Sequence, residues 1–220
     1  MDDIILVAWV SALLFVCFPW VYHFGGKIKR AETAGYLKRF VFLIMVIRVI
    51  VLWVQTMITM ESFLLYLPPS LYLADFIAGM VHLVGDVTDQ GQFIKHHQMP
   101  TYMCDKTYLH HTYRSYFLVN ILLLFFPYFS ESNFWMTTFL FTVQANETHA
   151  WLHTRHDERP YFVKYLQKFG LLTTAESHRR HHRDEHSRYF CTLNGWANPL
   201  VNIFANILYT IKVHIEEGEG

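Results

Sequence analysis

The chain has 220 residues, 53% of them hydrophobic and 16% charged, and its 18 Lys+Arg balance 18 Asp+Glu. That composition excludes a disordered segment, and a formal charge of zero leaves no basic footprint for nucleic acid. Three cysteines, Cys17, Cys104 and Cys191, without a C-x-x-C pair, give neither a disulfide framework nor a thiolate zinc site. Histidine is the outlier: there are 14, and twelve lie between His82 and His186.

Ile4 to Tyr22 is an uncharged run of nineteen residues, enough at 1.5 Å per residue to cross a hydrocarbon core of about 30 Å. Asp2 and Asp3 precede it and no small-x-small site follows, so a spanning helix is expected rather than a removable signal. Lys27, Lys29, Arg30, Lys38 and Arg39 come next, a basic loop that the positive-inside rule assigns to the cytosol. Phe40 to Met60 and Phe63 to Val84 form a second and a third apolar stretch, turning at Glu61-Ser62. A charge at mid-membrane costs about 2.5–3.5 kcal/mol, so Arg48 and Asp75 are expected to face protein or water, one option being each other. Tyr116 to Phe129 and Phe134 to Val143 are short, and Ser130 to Asn133 between them predicts a tight helical hairpin.

Parity then places His82 to His111 and His149 to His186 on one cytosolic face. Asn198 to Thr210 carries Asn198, Asn202, Asn206 and Thr210 at i+4 spacing, which predicts a helix in the membrane interface or packed on the bundle. Tyr161 to Phe169 reads similarly. The expected fold is an all-α integral membrane protein of about four to five transmembrane helices, residues 1–220 forming a single domain.

Residues three and four apart share a helix face. His149 and His153 fit that spacing, as do His178, His181 and His182, and His82 with Asp86; His96 and His97 are adjacent before Pro100. Imidazole suits iron, zinc, copper or nickel rather than magnesium or calcium. One ion needs three or four ligands, so His82, His96, His97, His149, His153, His178, His181, His182 and His186 point to two metals. Spacing does not choose between zinc and iron. A site at the mouth of a bundle facing lipid chains favours a redox metal, because unactivated carbon–hydrogen bonds require oxygen chemistry. Asp86, Asn146 and Asp184 are candidates for orienting imidazoles through the nitrogen that does not bind metal, or for ligation. His110 and His111 stay open, His156 reads as part of a solvated loop, and His23 and His214 read as interfacial polar residues.

Several segments match a known pattern. Ala74-Asp75-Phe76-Ile77-Ala78-Gly79-Met80-Val81-His82, closed by Asp86, resembles the A-D-F-x-x-G-x-V-H-x-x-x-D segment of the plasmanylethanolamine desaturase (Kua) family of membrane lipid desaturases. His96-His97 with Pro100 is similar to its H-H-x-x-P, Asn146 to His153 to its N-x-x-H-x-W-x-H box, and His178 to His182 to its H-x-x-H-H box. His186, Tyr189, Phe190, Cys191, Gly195 and Trp196 resemble its H-x-x-Y-F-C and G-W positions, so the likeness runs from about Leu73 to Pro199.

The resemblance implies a lipid desaturase with two iron ions, dioxygen as oxidant and electrons from a cytochrome b5-type donor. It further implies an intact membrane phospholipid as substrate, desaturated near its headgroup, either at the alkyl ether chain of a plasmanyl lipid or, in a plastid branch, at a phosphatidylglycerol acyl chain. By the same analogy the membrane is the endoplasmic reticulum. A di-iron lipid hydroxylase, and a histidine-rich metal transporter or sensor, are the alternatives.

Overall fold

The structure, a computed structural model, describes residues 36–56, 60–88, 91–183 and 186–218. The span expected over Ile4 to Tyr22, the first part of the basic loop, His23 and Asp184 lie outside the described residues. Among the described residues every regular element is helical: α1 (Tyr36–Thr56), α2 (Met60–Val87), α3 (Gly91–Gln98), α4 (Tyr108–Phe125), α5 (Asn133–Thr142), α6 (Ala145–His153), α7 (Tyr161–Lys168), α8 (Ala175–Arg183) and α9 (Asn198–Gly218), with 3-10 turns at Pro100–Met103 and Pro127–Glu131. They fall into two compact units, the described part of 1–70 with 106–147, and 71–105 with 148–220.

In the first unit α1 buries Phe42, Met45, Val46, Val49 and Trp53, which recur every three or four residues. They pack with Tyr116, Val119 and Leu123 of α4 and Met136, Phe139 and Leu140 of α5. The opposite side of α1, with Phe40, Leu43, Ile44, Ile47, Val51 and Val54, is apolar yet exposed among the described residues. Lys38–Thr56 and Phe63–Val87 are the two helical segments among the described residues long and apolar enough to cross a membrane. Arg48 meets protein, as expected of an intramembrane charge, but its partner is Asn120, whose side-chain oxygen accepts its guanidinium at 3.0 Å. Asp75, in the second unit, has backbone donors, described below.

The hairpin is present with different limits. α4 begins at Tyr108, where the Thr107 hydroxyl caps the helix by accepting the His110 N–H. It ends at Phe125 because Phe126 precedes Pro127 and is driven out of the helical region, to φ −129° and ψ 71°. Ser132 caps α5 by accepting the Trp135 N–H.

In the second unit the latter half of α2 packs on α9 through Leu83, Phe190, Cys191, Ala197, Val201 and Ala205. α9 thus packs on a neighbouring helix, one of the two placements expected for it. Small residues permit this approach. A Cβ added at Gly79 would lie 2.6 Å from Cys191 Sγ, closer than real contacts allow, and a tight 3.1 Å from Val201 Cγ2. Gly79→Ala is therefore expected to lower stability by about 1–3 kcal/mol through overpacking, outweighing the gain of about 1 kcal/mol in helix propensity. Thermal unfolding should show this loss, and adding Cys191→Ala, which removes the obstructing sulfur, should recover part of it.

Candidate metal centre

Asp75, Gly79, His82 and Asp86 follow one another at spacings of four, three and four on α2 and so share one face. The segment 190–197 lies along that face. Asp75 Oδ1 accepts the N–H groups of Leu193 and Asn194, both at 3.1 Å, and Oδ2 accepts that of Ala197 at 3.0 Å. The carboxylate is fully buried, and these donors replace its water. Gly79 leaves room for Cys191. One turn further on, the His82 Nδ1–H donates to the Phe190 carbonyl at 3.0 Å, which turns Nε2 towards Asp86.

Around that end of α2 the second unit gathers all nine histidines named as candidate ligands. His96 and His97 come from α3, His149 and His153 from α6, His178, His181 and His182 from α8, and His186 from the loop that follows. The ligand atoms of His96, His153, His178 and His182 lie within 4.8 Å of one another; so do those of His82, Asp86, His97 and His181, and those of His97, His182 and His186. His149 joins the first group through its Nε2, 2.7 Å from that of His178. His186 stacks on His97 with ring centroids 3.7 Å apart.

Hydrogen bonding does not account for this arrangement. His178 Nε2 faces three other Nε2 atoms, of His149 at 2.7 Å, His153 at 2.9 Å and His182 at 3.3 Å. A ring nitrogen carries one proton or one lone pair, so it can bond to one of the three. Neither ring nitrogen of His96 has a hydrogen-bond partner, although the residue is buried. Nitrogens about 2.1 Å from a common ion lie about 3.0 Å apart at right angles and about 3.4 Å apart at the tetrahedral angle, which matches these separations. The residues present fit a metal, and the donor set of imidazoles with one carboxylate suits iron or zinc.

Electrostatics agrees. Burial, together with the like charge that each protonated ring would meet in its neighbours, pushes His96 down to about 2, His97 and His182 to about 3 and His153 to about 4. His149 and His178 are lowered for the same reasons. The rings are thus neutral at physiological pH, with lone pairs available. Asp86 brings the negative charge: its oxygens lie 3.3 Å from His181 Nε2, 3.4 Å from His97 Nε2 and 3.6 Å from His82 Nε2.

The remaining candidates are placed elsewhere. In the first unit the ring of His111 bonds Glu147 at 2.7 Å, both residues being buried, and the Asn146 amide donates to the His111 carbonyl. His110 and His156 are exposed, and His214 bonds the Thr210 carbonyl within α9. Two features escaped the sequence reading. Glu147, an acid two residues before His149, was the available sign of a carboxylate–imidazole pair. The turn Leu193-Asn194-Gly195-Trp196, with Gly195 at φ 80°, marked a loop whose free N–H groups needed an acceptor such as Asp75.

A model of the lipid desaturase domain matches residues 71–212, well over half of the chain. The chain belongs to the lipid desaturase domain family. This bears out the resemblance carried by the histidine segments. Over 150 residues it is 27% identical to the plasmanylethanolamine desaturase of Myxococcus xanthus, covering 59% of this chain and 53% of that protein. Over 59 residues it is 37% identical to plasmanylethanolamine desaturase 1 of Mus musculus, covering 27% of this chain and 21% of that protein. The chain thus spans about half the length of one relative and about a fifth of the other. No solved structure matches this member of the lipid desaturase family.

Two outcomes follow from the geometry. Asp75→Ala strands three buried N–H groups, each worth about 1–3 kcal/mol, so thermal unfolding should show a loss of several kcal/mol where Asp75→Asn loses less. Metal removal by a chelator should lower the unfolding temperature, and re-adding iron or zinc should raise it again with the logarithm of the free ion concentration; His214→Ala should leave that response unchanged.

Proposed function

We propose that this chain is a di-iron, dioxygen-dependent lipid desaturase that introduces a double bond near the headgroup end of a phospholipid alkyl or acyl chain. The preferred substrate is the alkyl ether chain of an ethanolamine plasmanyl lipid, which gives a vinyl ether. The observation that carries this reading is the convergence of nine histidines and Asp86 in the segment matched by the lipid desaturase domain. The names of the two relatives support the choice of substrate. His96, His149, His153, His178 and His182 would hold one iron, and His82, Asp86, His97 and His181 the other, with His186 beside His97 and His182.

When bound, the two ions would supply the redox chemistry by which dioxygen, two electrons and two protons become two waters while two hydrogens leave adjacent carbons of the chain. The protein's own part is preparation. The rings of His96, His97, His149, His153, His178 and His182 stay unprotonated, so no proton need leave them before a metal enters. The Phe190 carbonyl fixes the proton of His82 on Nδ1, the Arg188 carbonyl does the same for His181 at 2.7 Å, and Asp86 offsets cationic charge beside them. Lys38–Thr56 and Phe63–Val87 would cross the endoplasmic reticulum membrane, with the histidines on the cytosolic side in reach of a cytochrome b5-type donor.

The test is product mass and iron content of the purified protein with a plasmanyl lipid. Loss of two hydrogens is expected, whereas gain of one oxygen would make it a hydroxylase, and stoichiometric zinc without iron would favour a metal transporter or sensor. His181→Ala should reduce turnover by at least about a hundredfold; a purified His181→Ala protein with wild-type turnover overturns the assignment.

A further inference from the structure

The loop between α8 and α9 contains two peptide groups that each face two ways. The peptide joining Arg188 to Tyr189 gives its carbonyl to the His181 Nδ1–H at 2.7 Å and its N–H to Asn202 Oδ1 at 3.2 Å. The peptide joining Phe190 to Cys191 repeats the arrangement, with its carbonyl on the His82 Nδ1–H at 3.0 Å and its N–H on Asn198 Oδ1 at 3.0 Å. Asn198 and Asn202 are one turn apart on α9. A peptide unit is a rigid plane whose C=O and N–H point in opposite directions, so holding its N–H fixes where its carbonyl aims.

Tyr189, between the two planes, has φ 64°, a left-handed conformation that costs a non-glycine residue roughly 1–3 kcal/mol and persists when its surroundings impose it. The Asn202 side chain is part of that imposition. The result is carried to the two rings. A carbonyl on Nδ1 places the proton there and leaves the lone pair on Nε2, and the Nε2 atoms of His82 and His181 both face Asp86. The other group lacks this brace at its centre, since His178 Nδ1 is buried without a hydrogen-bond partner.

We propose that Asn198 and Asn202 are positioning residues that act through these two peptide planes to set the proton and the aim of His82 and His181, so that metal binding by the His82, Asp86, His97 and His181 group depends on α9. The inference rests on the reading that this group binds iron. Each asparagine works through one intervening peptide. Asn206, the next residue along the stripe, is exposed and has no such role.

The test uses the full chain, purified metal-free and titrated anaerobically with ferrous iron, read by iron content and Mössbauer spectrum. Asn202→Leu, similar in size but without the acceptor oxygen, is expected to weaken the second ion by about tenfold and to alter its quadrupole doublet. Asn202→Asp, which keeps an acceptor oxygen, should restore both, and Asn206→Leu should match wild type. Wild-type binding and spectrum in Asn202→Leu overturn the proposal. If Asn202→Leu fails to fold, Asn202→Gln, which displaces the oxygen by one methylene, is read in its place, and unchanged iron binding there is equally fatal. A wild-type chain that takes up no iron would sink the proposed function instead. The relay is then read in the metal-free protein from the ring 15N shifts of His181, which must move in Asn202→Leu.

Discussion

Neutral imidazoles packed nitrogen to nitrogen in a buried space satisfy one another poorly, and that constraint governs the second unit. Water would satisfy them by hydrogen bonding, but the site is largely closed to solvent: His82, His96, His149, His178 and His181 are all buried. Protonation would add repulsion between neighbours, and burial opposes it further. A cation shared by several lone pairs resolves these conflicts at once, which is why separations of about 3 Å between ring nitrogens carry more weight than the number of histidines.

The support for this cluster is a single helix face meeting a single loop. α2 presents an acceptor (Asp75), a gap (Gly79), a candidate ligand (His82) and a carboxylate (Asp86) in sequence, and residues 188–197 supply the complement: carbonyls for rings, N–H groups for the Asp75 carboxylate, a cysteine for the gap. Cys191 is accordingly structural. Its thiol is buried and its pKa is pushed well up by burial and by the neighbouring Asp75, so it is a poor nucleophile and packs as a small apolar group.

What was legible in the sequence was whatever depends on local period. The pairs His149/His153 and His178/His182 announce a shared face because a helix turn is 3.6 residues, and the apolar runs announce α1 and α2 by length. Contacts between distant segments carry no such signature. Asp75 resembles an intramembrane charge in need of a cation, and nothing local says that its donors lie 118 to 122 residues away. Asn198 and Asn202 belong to a polar stripe that reads equally as a membrane-facing surface or an inward clamp, and the loop that decides between them has no periodicity. Both limits of α4 differ from the expected stretch: its early start was hidden because Thr107 is one hydroxyl among many, and its end was set by Pro127, which lay inside the apolar run taken as helix.

Those long separations bear on how the protein is made. His82, His96 and His97 leave the ribosome well before Phe190, whose carbonyl orients His82 across 108 residues of sequence. If the cluster holds the proposed iron, the early histidines would during that interval be an unfinished chelator, and loose nitrogen ligands follow the Irving–Williams order, which ranks copper above iron. On the proposed reading, biosynthesis would contain a window open to mismetallation until α9 docks, and loading with the proper metal would be a late event tied to completion of the fold.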